Sequence, residues 1–389
     1  MTSWENVCLS EISDTIDYGY TASAIENEVG PYFLRITDIV NKNVKWSRVP
    51  YCYISDIDFE KYKLEKGDIV IARTGATTGA HYMIRERDPA TIVFASYLIR
   101  FKINKKKAYS DFINYILKSY IWKEYVKSVA GGSAQPGANA KVLGSFSFYL
   151  PPLPEQKAIA GVLGSLDDKI DLLQRQNATL EAMAETLFRQ WFIEDTQDDF
   201  CITSLSNIAN FLNGIACQKY PPSNSVDKLP VLKIRELNNG ISKDCDWATS
   251  DIKSEYIVKS GDVIFSWSGS LLVKVWSGED CVLNQHLFKL TSQAYPKWFY
   301  YFWCKYHLKE FLIISESHAT TMGHIKRSDL DAAEVLIPTD KRLQEMSCIM
   351  TPLWEKYIIN QTQIRTLEKL RDTLLPKLMG GEVRVRVDE

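Results

Sequence analysis

Two stretches of the chain carry apolar residues at helical spacing for much longer than the rest. From Ile159 through Leu163, Leu166, Ile170, Leu173, Asn177, Leu180, Ala184 and Leu187 to Trp191, the seam steps 4-3-4-3 without a break. That is the heptad rhythm of a coiled-coil helix, with Asn177 at an a position, and it predicts a helix over about 155–195. Moved on by 187 residues, the same seam falls on Met346, Met350, Leu353, Tyr357, Asn360, Ile364, Leu367, Arg371, Leu374 and Leu378. Arg371 departs from the apolar rule. Pro352 should kink or delay this second helix, because an interior proline removes a backbone hydrogen bond. Pro376 and Gly380-Gly381 then close it.

Outside these helices the period shortens. Residues 1–150 and 200–338 show β-branched and aromatic runs bounded by Gly, Asn and Asp, the pattern of strands and turns. Each also carries one aromatic-rich helical segment, 109–127 and 295–314. The two regions are copies of one another. Phe33-Leu34-Arg35-Ile36-Thr37-Asp38-Ile39 matches Val231-Leu232-Lys233-Ile234-Arg235-Glu236-Leu237, and Lys66-Gly67-Asp68-Ile69-Val70-Ile71 matches Ser260-Gly261-Asp262-Val263-Ile264-Phe265. Tyr109–Tyr115 parallels Tyr295–Tyr301, Tyr149-Leu150-Pro151 parallels Leu336-Ile337-Pro338, and Thr179-Leu180-Glu181 parallels Thr366-Leu367-Glu368. A period this long marks a duplicated domain rather than a solenoid. The expected fold class is α+β, an internal repeat of two similar domains each followed by a long helix. The expected boundaries are 1–152 for the first domain, 153–197 for the first helix, 198–338 for the second domain, 339–381 for the second helix and 382–389 for a tail.

If a pseudo-twofold axis relates the copies, the helices run antiparallel and the seam residues that meet are Ile159 with Leu378, Leu163 with Leu374, Ile170 with Leu367, Leu173 with Ile364, Leu180 with Tyr357 and Leu187 with Met350. It sets Asn177 against Asn360, where two facing amides could share side-chain hydrogen bonds and hold the register. A helix over 155–195 is about 60 Å long at 1.5 Å per residue, enough to act as a ruler between the domains.

Composition narrows the function by exclusion. The chain has 389 residues, 46% of them hydrophobic and 24% charged, which places it among globular proteins. No apolar run reaches the length of a membrane span and the start lacks a signal-peptide pattern, so a cytoplasmic location is expected. Eight scattered cysteines without a C-x-x-C pair and five histidines without H-E-x-x-H predict reduced thiols and no metal site. The net charge of −2 argues against a strongly basic DNA clamp, although much of the acidity sits in 151–199, which holds 4 basic against 10 acidic residues. There is no glycine-rich adenosylmethionine loop, no phosphate-binding loop (Gly75-Ala76-Thr77-Thr78-Gly79-Ala80 lacks the lysine) and no nucleophile elbow. The residues therefore read as non-catalytic.

Three loops hold candidate contacts to nucleic acid. Arg73, Thr74, Gly75, Thr77 and Thr78 follow a strand predicted at 69–72, and offer a guanidinium, hydroxyls and backbone amides on flexible glycines, suited to phosphates or base edges. The plain alternative is a glycine hairpin turn. Their counterparts are Trp267, Ser268 and Ser270, so the two copies should read different sequences. The second loop brings Gln135, Asn139 and Lys141, paired with a stretch from Met322 through His324, Lys326 and Arg327. Gln and Asn suit adenine, and Lys and Arg suit guanine or phosphate; the alternative is a structural cap. The third, Leu283-Asn284-Gln285-His286, runs into a core strand that its polar groups could simply satisfy.

At this point the pattern resembles the specificity subunit of Type I restriction-modification systems. The resemblance covers nearly the whole chain and rests on Leu150-Pro151-Pro152-Leu153-Pro154-Glu155-Gln156-Lys157 leading into a long helix, on Gly67–Ala76, and on Met322–Leu330. It implies two α+β target recognition domains, each reading one half of a bipartite, asymmetric site in double-stranded DNA, with the two long helices packed as an antiparallel coiled coil that spaces the halves in an internal pseudo-twofold repeat. It also implies recruitment of two methyltransferase subunits and of restriction/translocase subunits. Those partners, not this chain, would use S-adenosylmethionine, ATP and Mg, and no cofactor is expected on this chain. The rival readings are a self-sufficient DNA-modifying enzyme, which the missing motifs disfavour, and a coiled-coil scaffold or orphan DNA-binding protein without a modification partner.

Overall fold

The structure, a computed structural model, describes residues 4–40, 44–130, 137–195, 199–224, 226–317 and 324–386. It forms two compact units, one of Met1–Asp167 with Lys369–Glu389 and one of Asp168–Glu368.

The first unit opens with β1 (Glu5–Cys8), β2 (Ser13–Tyr18), β3 (Tyr32–Leu34), the single turn α1 (Ile36–Ile39) and α2 (Asp56–Tyr62). It continues through β4 (Ile69–Ala72), β5 (His81–Met83), β6 (Ile92–Phe94) and β7 (Leu98–Ile103), then α3 (Ser110–Lys118), α4 (Tyr120–Ala130), α5 (Ala140–Gly144), β8 (Ser147–Leu150) and the start of α6 (Leu153–Arg189). An antiparallel sheet runs β2-β7-β4-β5, β3 pairs in parallel with β6, and β1 pairs with β8. Strand β4 is buried on both faces. Ile69 and Ile71 join the core beneath the helices, and Val70 and Ala72 join a second core on the opposite side. An uninterrupted apolar run is what a strand with no wet face requires.

The second unit repeats the plan with β9 (Cys201–Ser204), α7 (Leu205–Ile208), β10 (Asn210–Asn213), β11 (Lys228–Leu232), α8 (Ile234–Asn239), β12 (Trp247–Thr249), β13 (Ile257–Val258), β14 (Val263–Ser266), β15 (Leu272–Val275), β16 (Cys281–Leu283), β17 (Leu287–Thr291), α9 (Lys297–Ser317), α10 (Arg327–Ala332), β18 (Glu334–Ile337) and α11 (Asp340–Met379). Its main sheet runs β10-β17-β14-β15, the counterpart of β2-β7-β4-β5. Val263 and Phe265 face one core and Ile264 the other.

The repeated sequence motifs are turns and seams with the same physics in both copies. Gly67 and Gly261 sit at φ 90° and 89°, a conformation that favours glycine. The aspartates that follow, Asp68 and Asp262, accept the amides of Glu65 and Lys259, each at 2.9 Å. Gly19 and Gly214 mark where β2 and β10 end. An added Cβ would lie 2.3 Å from the Ala95 carbonyl oxygen in one copy and 2.2 Å from that of Asn284 in the other. Only glycine permits that approach. In the first unit Gln156, fully buried, donates to the Pro151 carbonyl at 2.8 Å and accepts the Tyr109 amide at 2.8 Å. The Pro-Pro-Leu-Pro-Glu-Gln stretch is thus the clamp that launches α6. Glu155 beside it takes the Trp4 indole N–H at 3.2 Å and the Arg384 guanidinium at 2.8 Å, so residues after the second helix complete the first unit.

The long helices differ from expectation in detail. α11 runs without interruption through Pro352. The helix begins twelve residues before Pro352, at Asp340, so the proline does not delay it, and Pro352 and Cys348 one turn before it are both exposed. α6 ends at Arg189 in a π-turn, Gln190–Glu194, rather than continuing as α-helix to 195. The segment expected to be one helix over 109–127 is two, because Ser119 adopts an extended backbone (ψ 165°) and its hydroxyl donates to the Ile116 carbonyl, ending α3.

Numbers rise along one helix as they fall along the other in both units. In the first, Ile159 and Leu163 share a core with Leu374 and Leu378. In the second, Ile170 and Leu173 cluster with Ile364 and Leu367, and Ala184 and Phe188 share a core with Met350 and Leu353. Arg371, the polar intruder, donates to Asp167 at 3.0 Å, where Tyr115 (2.9 Å) and Lys118 (3.2 Å) also donate. Burial alone would raise the Asp167 carboxyl, but the Lys118 charge and the three hydrogen bonds outweigh it and hold it below the usual range. The same burial pushes Lys118 below the ordinary lysine range, with Arg85 and Arg371 repelling it and Asp167 offsetting only part. Lys118 is the costly member of the group, and Arg371 the one that fits.

Asn177 and Asn360 are both buried in the seam of the second unit. They do not share hydrogen bonds as expected. Asn177 Nδ2 donates to the Tyr357 carbonyl at 3.3 Å, and Asn360 Nδ2 to Gln176 Oε1 at 3.4 Å. A helix carbonyl and a flexible glutamine beside the seam offer easier acceptors than the facing amide does. Both Oδ1 atoms are left without a partner among the described residues.

Two outcomes follow. Asn360→Leu removes one unsatisfied buried carbonyl and should raise stability by about 1 kcal/mol, since such a group costs roughly 1–3 kcal/mol; a lower melting temperature in circular dichroism would contradict this. Asp167→Asn should destabilise by about 1–3 kcal/mol at neutral pH, less than a fully buried pair because the group is partly exposed. A depressed carboxyl stabilises above its unfolded value near 4 and loses that contribution as pH falls through the lower folded value. Urea melts of wild type and Asp167→Asn should therefore converge as pH is lowered beneath about 4, and a constant gap would contradict the assignment.

Candidate nucleic-acid interface

The two apolar central strands each end at a position that the rest of the loop network grips. After β4, Arg73 receives the Ala138 amide on its carbonyl at 2.8 Å, and Thr74 bridges to Gly137 in antiparallel fashion. After β14, Trp267 receives the Ile325 amide at 3.1 Å, and Ser268 bridges to His324. The first and second candidate loops are thereby brought together in each unit by one and the same tie. The turn before the neighbouring strand adds a third member: Ser96-Tyr97 in the first unit and Gln285-His286 in the second, anchored by amides of Ser96 and Gln285 to Tyr20 and Ile215, each at 2.9 Å.

On the first unit the Arg73 guanidinium donates through Nε to the Ser96 carbonyl at 3.2 Å and lies 5.1 Å over the Tyr18 ring. Tyr18 and Tyr97 are exposed beside it. Gly75, at φ 77°, has open space around it, while Thr77 is half-buried. The Thr78 hydroxyl folds back onto the Gly75 carbonyl at 2.7 Å, so this part of the loop is a hairpin turn as well as a candidate contact. Asn139 caps α5 by accepting the Val142 amide at 2.9 Å, the capping role its position allows. Lys141 is exposed on the same short helix. Gln135 lies outside the described residues, as does Met322.

On the second unit Trp267 spends its indole N–H on Asn213 Oδ1 at 3.2 Å and stacks on Phe288 at 5.7 Å, with His324 5.5 Å and His286 6.2 Å away. Ser268 is buried, its hydroxyl 3.2 Å from His286 Nδ1, and so positions that ring rather than facing solvent. Ser270, His324, Lys326 and Arg327 are exposed. The Lys326 amide donates to Asp329 at 2.7 Å where α10 begins, the counterpart of the Asn139 cap. A cleft of about 520 Å³ opens beside Trp267, with Asn213, Phe288, Tyr256 and Arg327 on its walls. A second cleft, about 590 Å³, lies between Lys233, Arg235, Trp247, Gln285 and His286. Lys233 pairs with Asp246, and that hydrogen bond and charge hold the exposed carboxyl below the usual range. Asn284 is buried with its Oδ1 on the His286 amide at 3.3 Å, a structural duty.

Sequence reasoning missed Tyr18, Ser96 and Tyr97, and it did not draw Lys233 or Arg235 into the site. The signal for the last two was available, because they belong to the best-matched repeat motif. Among the described residues no three His, Cys, Asp or Glu side chains gather as a metal ion would need, and no helix is long and apolar enough to cross a membrane.

Comparison with known proteins shows the family. The model of the Type I restriction modification DNA specificity domain matches twice, over residues 1–182 and 197–369, one match for each copy of the repeat. The chain is 29% identical over 310 residues to the Type I restriction enzyme MjaIX specificity subunit of Methanocaldococcus jannaschii, covering 73% of this chain and 71% of that protein. It is 22% identical over 422 residues to the putative type I restriction enzyme MjaX specificity subunit of the same organism, covering 98% and 94%. The fold is similar to that of the Type I restriction-modification system S subunit from M. genitalium, with a TM-score of 0.64 at 15% identity over 97% of this chain and 96% of that one. With the domain present once in each half, this chain belongs to the Type I restriction modification DNA specificity family.

Proposed function

We propose that the chain is a DNA reader without chemistry of its own, each unit recognising one half of a two-part, asymmetric double-stranded site. The observation that carries this is the repeated tie at Arg73 and Trp267: one backbone frame built twice, presenting a guanidinium in one copy and an indole in the other. A fixed frame with exchanged side chains is the arrangement expected of two readers with unlike sequences. The partners are two adenine methyltransferase subunits and, in a restriction complex, ATP-driven endonuclease and translocase subunits. They supply the S-adenosylmethionine, ATP and Mg chemistry, and the assembly works in the cytoplasm. The near-neutral charge fits a reader that relies on partners for much of its grip on the phosphate backbone.

Purified chain with S-adenosylmethionine and DNA should transfer no methyl group, while added methyltransferase partner should yield methylated adenine at one two-part sequence; methyl transfer by the chain alone would overturn the reading. Replacing residues 1–150 with the matching region of another family member should change one half of the methylated sequence and leave the other. Simultaneous change in both halves would show that the units do not read separately.

A further inference from the structure

Arg73 and Trp267 occupy equivalent positions, and their side chains are held in opposite chemical states. In the first unit Arg73 Nε is fixed by the Ser96 carbonyl at 3.2 Å and its Cζ lies 5.1 Å from the centre of the Tyr18 ring. These restraints leave the two terminal nitrogens without a hydrogen-bond partner among the described residues, in a loop cluster where Tyr18 and Tyr97 are exposed. In the second unit the single indole donor is already committed to Asn213, and the ring is stacked on Phe288. Trp267 thus offers an apolar face and no donor.

Resting on the reading of the chain as a DNA specificity subunit, we infer that Arg73 reads one guanine in the half-site of the first unit, and that position 267 makes no such contact in the other half. A guanine presents O6 and N7 as two adjacent acceptors in the major groove, which is the pattern a fixed arginine fork matches. Holding Nε on the Ser96 carbonyl and Cζ against the Tyr18 ring before DNA arrives lowers the rotamer cost that a free surface arginine would meet on binding. A phosphate would not require that orientation.

The test uses the chain with its methyltransferase partner in a host free of other adenine methylation, with methylated sites mapped across the genome. Arg73→Ala should relax a single G·C position in one half-site, lowering discrimination there about 10–100-fold, with the other half-site unchanged. Arg73→Gln should shift that position toward adenine, the base a glutamine amide pairs with. An unchanged motif in both variants, a uniform fall in methylation at an unchanged motif, or relaxation in the half-site of the second unit would each overturn the assignment. A measurement on the unaltered complex guards against variants that fail to fold. Duplexes carrying 7-deazaguanine, one guanine at a time, should bind about 10-fold weaker at one position of that half-site, and no weakening at any guanine would overturn it too. If the unaltered complex methylates no two-part site at all, the underlying reading of function fails instead.

Discussion

The candidate reading surface depends on a backbone tie in each unit, made among the described residues by the Ala138 amide on the Arg73 carbonyl and the Ile325 amide on the Trp267 carbonyl. Each bond joins the end of a strand buried on both faces to a loop that precedes a short helix. The strand cannot shift without dragging two cores with it. The loop therefore inherits the rigidity of the most constrained element in its unit. Precision at the surface is borrowed from apolar packing some residues away.

Much of this was legible in the amino-acid order, and the reasons differ by element. The central strands were plain because double burial erases alternation and leaves Ile69–Ala72 and Val263–Ser266 as bare apolar runs. The long helices were plain because no strand or loop keeps apolar residues in a heptad rhythm over many turns. The break at Ser119 was not, since a serine at that point suits a helix or its end, and the choice is made by packing on either side. The C-terminal return was invisible for a related reason: Arg384 finds Glu155 and Trp4 through the fold, across a separation that no local pattern spans.

At the candidate site, residue types singled out loops that the fold brings together, but not the duty of each side chain. Asn139, Ser268 and Thr78 are spent on a cap, a histidine and a turn, while Tyr18 and Tyr97 are exposed beside the arginine. Short polar side chains next to backbone amides serve both purposes equally well in a sequence. Three-dimensional neighbours decide between them. The seam asparagines show the same limit: their place in the seam followed from the repeat, yet their acceptors were set by which oxygen lay nearest.

Because Trp4 and Glu155 are met by Arg384, the first unit draws on residues from both ends of the described chain. Ribosomal synthesis delivers residues in order, so every residue of the second unit leaves the ribosome before the last piece of the first does. The unit whose strands are made first is the one finished last. During that interval the apolar edge around Ile159 and Leu163, which Leu374 and Leu378 eventually cover, stands uncovered on the nascent protein.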